Sequence, residues 1–343
     1  MSRTGRVTIN DVARTAGVSV ATVSKVINGR YGVAQATNER VQEVIASLGY
    51  ESSLVARSLR SHRTNVIGIL VAEFEPFSTE ILKGVSQAVA GTGYELLAYS
   101  GGGAGGTDVG WERRSLSRLS GTLIDGAVLV TPTVVEVHDG VPVVAIDPHA
   151  GPSGIPTVDS DNLAGAVTAT EHLLALGHRR IGFLGGRPDL ESSRLREEGF
   201  RTAMARAGVP VDPALVRVGG YRRETADRPA HELLELADRP TAVFAANDLM
   251  AIATIEAAAD LGLAVPRDLS VVGFDDVPEA AATTPPLTTV AQPMQQMGSV
   301  AIGMLVELMA GRPVPAAHLR LPTRLVERGT CAPAPVGATA AVR

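Results

Sequence analysis

The sequence predicts a small all-α helix-turn-helix head followed by an α/β body of two Rossmann-like subdomains. Three observations carry this. Residues 8–28 fold two short helical patterns around a glycine. From Val66 onward, short apolar runs alternate with helical stretches. Charge divides between the two parts: residues 1–64 hold nine Lys/Arg against four acids, a net +5, in a chain of formal net charge −5. The rest therefore carries −10. A basic head beside an acidic body fits a polyanionic partner that meets one end only.

In the head, Thr8 suits an N-cap, with Ile9, Val12 and Ala13 at helical spacing behind it. Gly17 permits a sharp turn, because glycine takes a left-handed backbone without a Cβ clash. Ser19 caps a second helix whose apolar stripe is Val23, Val26 and Ile27, while Ala21, Ser24, Lys25 and Asn28 project from the other side. A helix-turn-helix with an exposed recognition helix has this shape. So does any small helical hairpin with a glycine turn, and periodicity alone leaves both open. A third helix runs from near Thr37 to Leu48, buries Val41, Val44, Ile45 and Leu48, and stops at Gly49.

In the body, residues 66–72, 94–99, 126–131, 141–146, 179–185, 241–246 and 269–274 read as buried strands. Residues 79–90, 163–176, 192–207, 223–237 and 249–261 read as helices. Alternation of this kind predicts parallel sheets, and seven strands fit two sheets better than one. Crossing strands near Ser160, Val290 and Leu321 join the halves. The expected divisions are a head over 1–50, a linker over 51–64 and a body over 65–330. Within the body, one subdomain takes 65–160 and 291–321, the other 161–290 and 322–330. The tail, 331–343, is rich in Ala and Pro without a heptad pattern and is expected to be disordered.

Ligands in such bodies bind in the crevice at the carboxyl ends of the strands. Glu73, Asp147, Asn247, Asp248, Asp275 and Asp276 follow strands there, and Arg194 and Arg196 open a helix. Carboxylates accept from, and guanidinium groups donate to, the paired hydroxyls of a sugar. Phe74, Phe77 and Tyr221 offer ring faces for stacking. An isolated strand-end acid equally well caps the next helix.

Other function classes find little support. The single cysteine, Cys331, forms no internal disulfide and makes no structural zinc site alone. The histidines (His62, His138, His149, His172, His178, His231 and His318) contain no H-E-x-x-H, and His178-Arg179-Arg180 reads as a solvated basic turn. Gly101, Gly103 and Gly106 satisfy G-x-G-x-x-G, but the loop follows a second strand and the next helix begins only near Trp111. That context is poor for a dinucleotide, so no cofactor is expected. A hydrolase using Asp147 and Asp275 as paired carboxylates is not separable from hydroxyl binding by sequence. The chain opens MSRTGRVT, without an apolar leader, and no run approaches 18 apolar residues. A cytoplasmic protein with no membrane partner is expected, which counts against an exported solute-binding protein.

The identities of the residues go further than their spacing. Asp11-Val12-Ala13, Ala16-Gly17-Val18-Ser19, Thr22-Val23-Ser24 and Asn28 closely resemble the start of LacI/GalR-type bacterial transcriptional repressors. The resemblance runs from about residue 7 to residue 329. It implies a periplasmic-binding-protein-like body and a homodimer on a near-palindromic operator. It also implies control by a small molecule: a mono- or disaccharide, or, in a minority of members, a purine or other metabolite. By family position, Val20, Ala21 and Lys25 read bases, and Thr8, Ser19, Thr22, Ser24, Asn28 and Tyr50 hold phosphates. Residues 51–64 correspond to the hinge helix, with Ala56 and Leu59 at the minor groove and Leu59 as the wedge between base pairs. Ser52-Ser53 replaces the usual Pro-Asn there, and Ala34 replaces a common capping serine. In the body, SSRLREEGF (192–200) implies Arg196 as the ligand arginine, and AAND and VVGFDD imply Asn247 and Asp275. Asp147, Gln292 and Tyr221 line up similarly, Asp248 is assigned to capping a helix, and Glu73, Phe74 and Phe77 form an apolar-plus-acid wall. The tail offers no lac repressor-like tetramerising helix, hence the expected dimer.

Overall fold

The computed structural model describes residues 7–27, 29, 31–50, 63–101, 109–134, 140–152, 154–314 and 316–335. Asn28, Ala56, Leu59, the Ser52-Ser53 pair, Gly103, Gly106 and residues 336–343 lie outside them.

Among the described residues the head holds three helices, α1 (Ile9–Ala16), α2 (Val20–Ile27) and α3 (Gln35–Leu48). Thr8 enters α1 with extended backbone, and the Asp11 carboxylate reaches back to accept its N–H at 3.0 Å and its hydroxyl at 2.7 Å. Those two bonds hold the Asp11 pKa below the usual carboxylate value. Gly17 ends α1 at φ +66°, which a side chain would resist. The Ser19 hydroxyl accepts from the Thr22 N–H at 3.1 Å and starts α2. Val12, Ala13, Ala16, Val23, Val26 and Val41 are buried together. Helix α3 begins at Gln35, two residues before the expected Thr37, because extended Ala34 already turns the chain and Gln35 bonds Glu39 across the first turn at 3.0 Å.

Among the described residues the body contains two six-stranded sheets. The first comprises β1 (Val66–Val71), β2 (Glu95–Ser100), β3 (Gly126–Val130), β4 (Val143–Ile146), β5 (Thr157–Ser160) and β11 (His318–Leu321), all parallel, in the order β11-β5-β4-β3-β1-β2. The second comprises β6 (Ile181–Gly185), β7 (Val216–Val218), β8 (Ala242–Ala245), β9 (Ser270–Asp275), β10 (Thr288–Ala291) and β12 (Arg324–Val326), ordered β12-β10-β9-β8-β6-β7. Of the pairings among these strands, β10–β12 is antiparallel and the rest are parallel. The sequence reading found seven of these strands and expected crossing strands at β5, β10 and β11. It missed β7 and β12 because three-residue edge strands carry no apolar run.

Helices α4 (Pro76–Val89), α5 (Trp111–Leu119), α6 (Asn162–Ala175), α7 (Glu191–Arg206), α8 (Arg223–Leu234), α9 (Asp248–Asp260), α10 (Pro278–Ala282) and α11 (Met294–Met309) cover the sheets. Helix α11 was not foreseen, because Met, Gly, Ala and Ser blur its polar face. It lies so close against α4 that a Cβ at Gly84 would overlap the Gln295 carbonyl oxygen, and one at Gly298 would overlap that of Ile81. Three segments cross between the sheets: β5 into α6, β10 into α11, and β11 into β12. They hold one another, since the Asp161 N–H donates to the Leu321 carbonyl at 2.9 Å and the Ser160 hydroxyl to Gln292 Oε1.

Two expectations are corrected. The tail is not disordered from residue 331. The Ala332 N–H donates to Ser270 Oγ at 3.1 Å and the Ala334 N–H to the Leu176 carbonyl at 2.9 Å, so main-chain bonding fixes this segment whatever its composition. His178 is not part of a solvated turn: it is 1% exposed, with Nδ1 2.9 Å from Thr241 Oγ1 and Nε2 3.1 Å from both Ser270 Oγ and the Ala332 carbonyl. Burial lowers its pKa, and the neutral ring ties the tail to the starts of β8 and β9.

Candidate functional site

On the head, the outward face of α2 presents Val20 (40% exposed), Ala21 and Lys25, with Thr8 and Ser19 exposed beside them. Thr22 and Ser24 are half-buried, and the Ser19 and Thr22 hydroxyls lie 2.9 Å apart. Tyr50 packs partly into the helical core. The buried stripe and this polar face are opposite sides of one helix, which leaves the second side available to a groove.

In the body, each sheet reverses its strand order once, between β1 and β3 and between β6 and β8. Crevices in open α/β sheets form at such reversals, beyond the carboxyl ends of the strands. A cavity of about 110 Å³ lies there, lined from the first subdomain by Glu73, Glu75, Phe77, Thr131, Asp147 and His149. Arg187, Arg196, Tyr221, Arg222, Asn247 and Asp275 line it from the second. Of the six non-glycine residues with positive φ among those described, Thr131 (+48°), Asp147 (+48°), Tyr221 (+69°) and Asp275 (+116°) line this cavity. Strained backbone concentrates at binding sites, where it fixes side-chain direction.

Arg196, on the second turn of α7, is 3% exposed. Its Nε donates to Asn162 Oδ1 at 2.8 Å, and Nη1 donates to the Ala246 carbonyl and to Asp275 Oδ1 at 3.3 Å. Its guanidinium lies 3.9 Å from the Phe274 ring centroid and 5.5 Å from that of Tyr221, within reach of both ring faces. Asp275 also accepts from Gln292 Nε2 at 2.6 Å. Burial pushes its carboxyl up to about 6, with Arg196 the strongest opposing influence. A continuous polar chain thus links the cavity to two crossing segments: Arg196 to Asn162, and Asp275 through Gln292 to Ser160. At the cavity edge, Glu73 pairs with Arg222 across the cleft.

The residues singled out from the sequence divide on inspection. Glu73, Phe77, Asp147, Arg196, Tyr221, Asn247 and Asp275 line the cavity; Phe74 and Gln292 do not. Phe74 is 53% exposed, since Pro76 starts α4 just after it and Phe77 is the ring that packs toward the core. Gln292 stands behind Asp275 and positions it. The cap of α9 is Asn247, whose Oδ1 accepts from the Met250 N–H at 3.0 Å while Nδ2 donates to the Tyr221 carbonyl at 3.0 Å. Asp248, expected to cap, is instead buried, accepting from the Val277 N–H at 2.9 Å and the Thr289 hydroxyl. Sequence reasoning passed over Glu75, His149 and Arg222. The Glu75-Pro76 pair, an acid before the first proline of a helix, was the available signal for Glu75. Among the described residues, no group of three or more His, Cys, Asp or Glu is placed to hold a metal, and no helix is long and apolar enough to cross a membrane.

A helical head with an exposed reading helix, joined in one chain to a body with a ligand cleft, defines a ligand-responsive DNA-binding regulator. Comparison with known proteins gives the family. Residues 8–53 match the model for bacterial regulatory proteins of the lacI family, and residues 170–331 match a periplasmic binding protein-like domain. The chain is 35% identical over 333 residues to the ribose operon repressor of Escherichia coli (strain K12), covering 94% of this chain and 99% of that one. It is 37% identical over 311 residues to the HTH-type transcriptional repressor PurR of Photobacterium profundum, covering 88% and 91%. Among solved structures it is similar to the lac repressor dimer bound to operator and the anti-inducer ONPF, with a TM-score of 0.81 at 28% identity over 96% of this chain and 100% of that one. It is also similar to a CelR–cellobiose complex, with a TM-score of 0.70 at 33% identity over 95% and 100%. The chain belongs to the LacI family of bacterial regulatory proteins, and it is a transcriptional repressor rather than an enzyme.

Proposed function

We propose that this repressor binds a near-palindromic operator as a homodimer and is controlled by a monosaccharide held in the body cleft. One observation carries the ligand reading: a buried arginine, Arg196, flanked by Asp275 and lying against two aromatic rings in a cavity of about 110 Å³. Fixed carboxylate acceptors and guanidinium donors match a ring bearing vicinal hydroxyls. The buried Tyr221 hydroxyl, beside Ser192, lies on the same cavity lining. The ribose repressor name of a relative supports a pentose, and the operator-bound dimer among similar structures supports two-fold assembly. On DNA, Val20 and Ala21 meet thymine methyls, Lys25 donates to guanine, and Thr8, Ser19, Thr22, Ser24 and Tyr50 hold phosphates. Asn28, Ala56 and Leu59 complete that contact set by family position.

Coupling follows from linkage. A ligand that closes the cleft changes the relation of the two subdomains, and a ligand that weakens DNA binding is itself bound more weakly by the DNA complex. A purine effector is the second reading, favoured by the PurR relative and by the ring pair beside Arg196. The test is a thermal-shift screen of monosaccharides, disaccharides and purines, followed by fluorescence anisotropy on genomic fragments with and without each hit. A monosaccharide that raises the melting temperature by mass action and changes operator affinity supports the proposal. A purine that does both replaces it.

A further inference from the structure

The cleft carries more carboxylate than guanidinium. Glu73, Glu75, Asp147 and Asp275 line it, against Arg187, Arg196 and Arg222. Asp189, outside the lining, engages Arg187 through Nε at 3.1 Å and Nη2 at 2.6 Å. Arg222 pairs with Glu73, and Arg196 lies 3.3 Å from Asp275. Glu75 and Asp147 remain without an ion pair of their own among the described residues. Each is eased only by an arginine already engaged, Arg222 for Glu75 and Arg196 for Asp147. Burial and neighbouring carboxylates push the two carboxyl groups up, to about 7 and about 6. His149 adds no positive charge at neutral pH, because burial presses its pKa down to about 4.

We infer that Glu75 and Asp147 make the cleft selective for a hydroxyl-rich ligand without negative charge, with Glu75 the specificity-determining residue that turns away phosphorylated and carboxylated analogues. This rests on the effector-cleft reading above. An incoming hydroxyl donates to a carboxylate and favours its ionised form, whereas an incoming anion adds like charge where solvent screens poorly. Glu75 has a second constraint that fixes its position. It stands at the N-cap of α4, and its own N–H donates to Ser78 Oγ at 3.0 Å. Its carboxylate also turns to the Ser78 N–H in a capping box, so the acceptor is held at a helix end and not on a mobile loop.

The experiment is calorimetric titration of the full chain at pH 8, where both carboxyl groups are ionised, with ribose, glucose and galactose, each beside its phosphate ester, for wild type and Glu75→Gln. The expected result is a sugar that binds at least 100-fold more tightly than its ester, with Glu75→Gln narrowing that gap at least tenfold. An ester that binds as tightly as its parent sugar overturns the inference and leaves the sugar-effector reading standing. If no sugar binds in either form, the effector reading fails, and the surplus charge is tested alone. The ligand-free Glu75→Gln variant, or Asp147→Asn should the first not fold, must then gain more melting temperature at pH 8 than at pH 5. Equal shifts at the two pH values overturn the inference.

Discussion

Arg196→Ala removes a guanidinium that is 3% exposed and joins three parts of the cleft. Asn162 Oδ1, the Ala246 carbonyl and Asp275 each lose a donor, and the Phe274 ring loses the cation lying 3.9 Å from its centroid. Breaking a buried ion pair by removing one partner costs ~3–5 kcal/mol, because the remaining charge is stranded. In a body of this size each kcal/mol moves the melting temperature by ~2–4 °C, so the expected fall is roughly 6–20 °C. The fall should depend on pH. The Asp275 carboxyl, raised to about 6 in the fold, holds its proton more tightly folded than unfolded. Its contribution is full below the unfolded pKa and is lost as pH climbs through the folded value. Without Arg196 that folded value moves higher still, and the loss continues past pH 6. The deficit of the variant is therefore smallest near pH 5 and largest near pH 8. Arg196→Lys keeps the charge but not the planar fork, and falls between. Calorimetry at both pH values measures the deficit, and anisotropy on operator DNA with effector measures the response. DNA binding should survive and the effector response should vanish. A normal dose–response in Arg196→Ala refutes its place in the site, and a deficit independent of pH refutes the electrostatic argument.

Lys25→Ala should weaken operator binding by roughly 1–3 kcal/mol and relax base preference at one position per half-site, as measured against single-base operator variants. Unchanged discrimination would remove Lys25 from the reading set. Gly186→Ala places a Cβ against the Tyr221 ring, well inside van der Waals contact, so the ring must move toward the cavity. Effector affinity, measured by calorimetry, should then fall at least tenfold while DNA affinity holds. His178→Ala takes one partner each from the Thr241 and Ser270 hydroxyls and the Ala332 carbonyl, which keep the Arg180 carbonyl and each other, a cost of ~0.5–1.5 kcal/mol per lost bond. Amide exchange at Ala332 and Ala334 should speed up in that variant, and unchanged exchange would show that the histidine does not hold the tail.

What the sequence determined by itself was whatever rests on neighbours within a few residues. The head is the clearest case: Gly17, Ser19 and the Val23–Val26 stripe specify two helices and the turn between them through local backbone and capping chemistry. The apolar runs from Val66 to Phe274 likewise specify buried parallel strands, because a strand covered on both faces needs no polar alternation. Tertiary structure decided which side chains meet. Arg194 and Arg196 are two residues apart on one helix, so they face away from each other; the seating of α7 leaves Arg194 exposed and buries Arg196. Only the folding of one sheet beside the other brings Arg222 to Glu73, 149 positions earlier, and sets Glu75 on the same wall as Asp147. His178 shows the same limit in reverse, since its burial depends on Ala332, 154 positions away. Periodicity and capping act through the backbone and are written locally. Cavity chemistry depends on where three crossings of the chain place the ends of separate strands, and no local pattern encodes that distance.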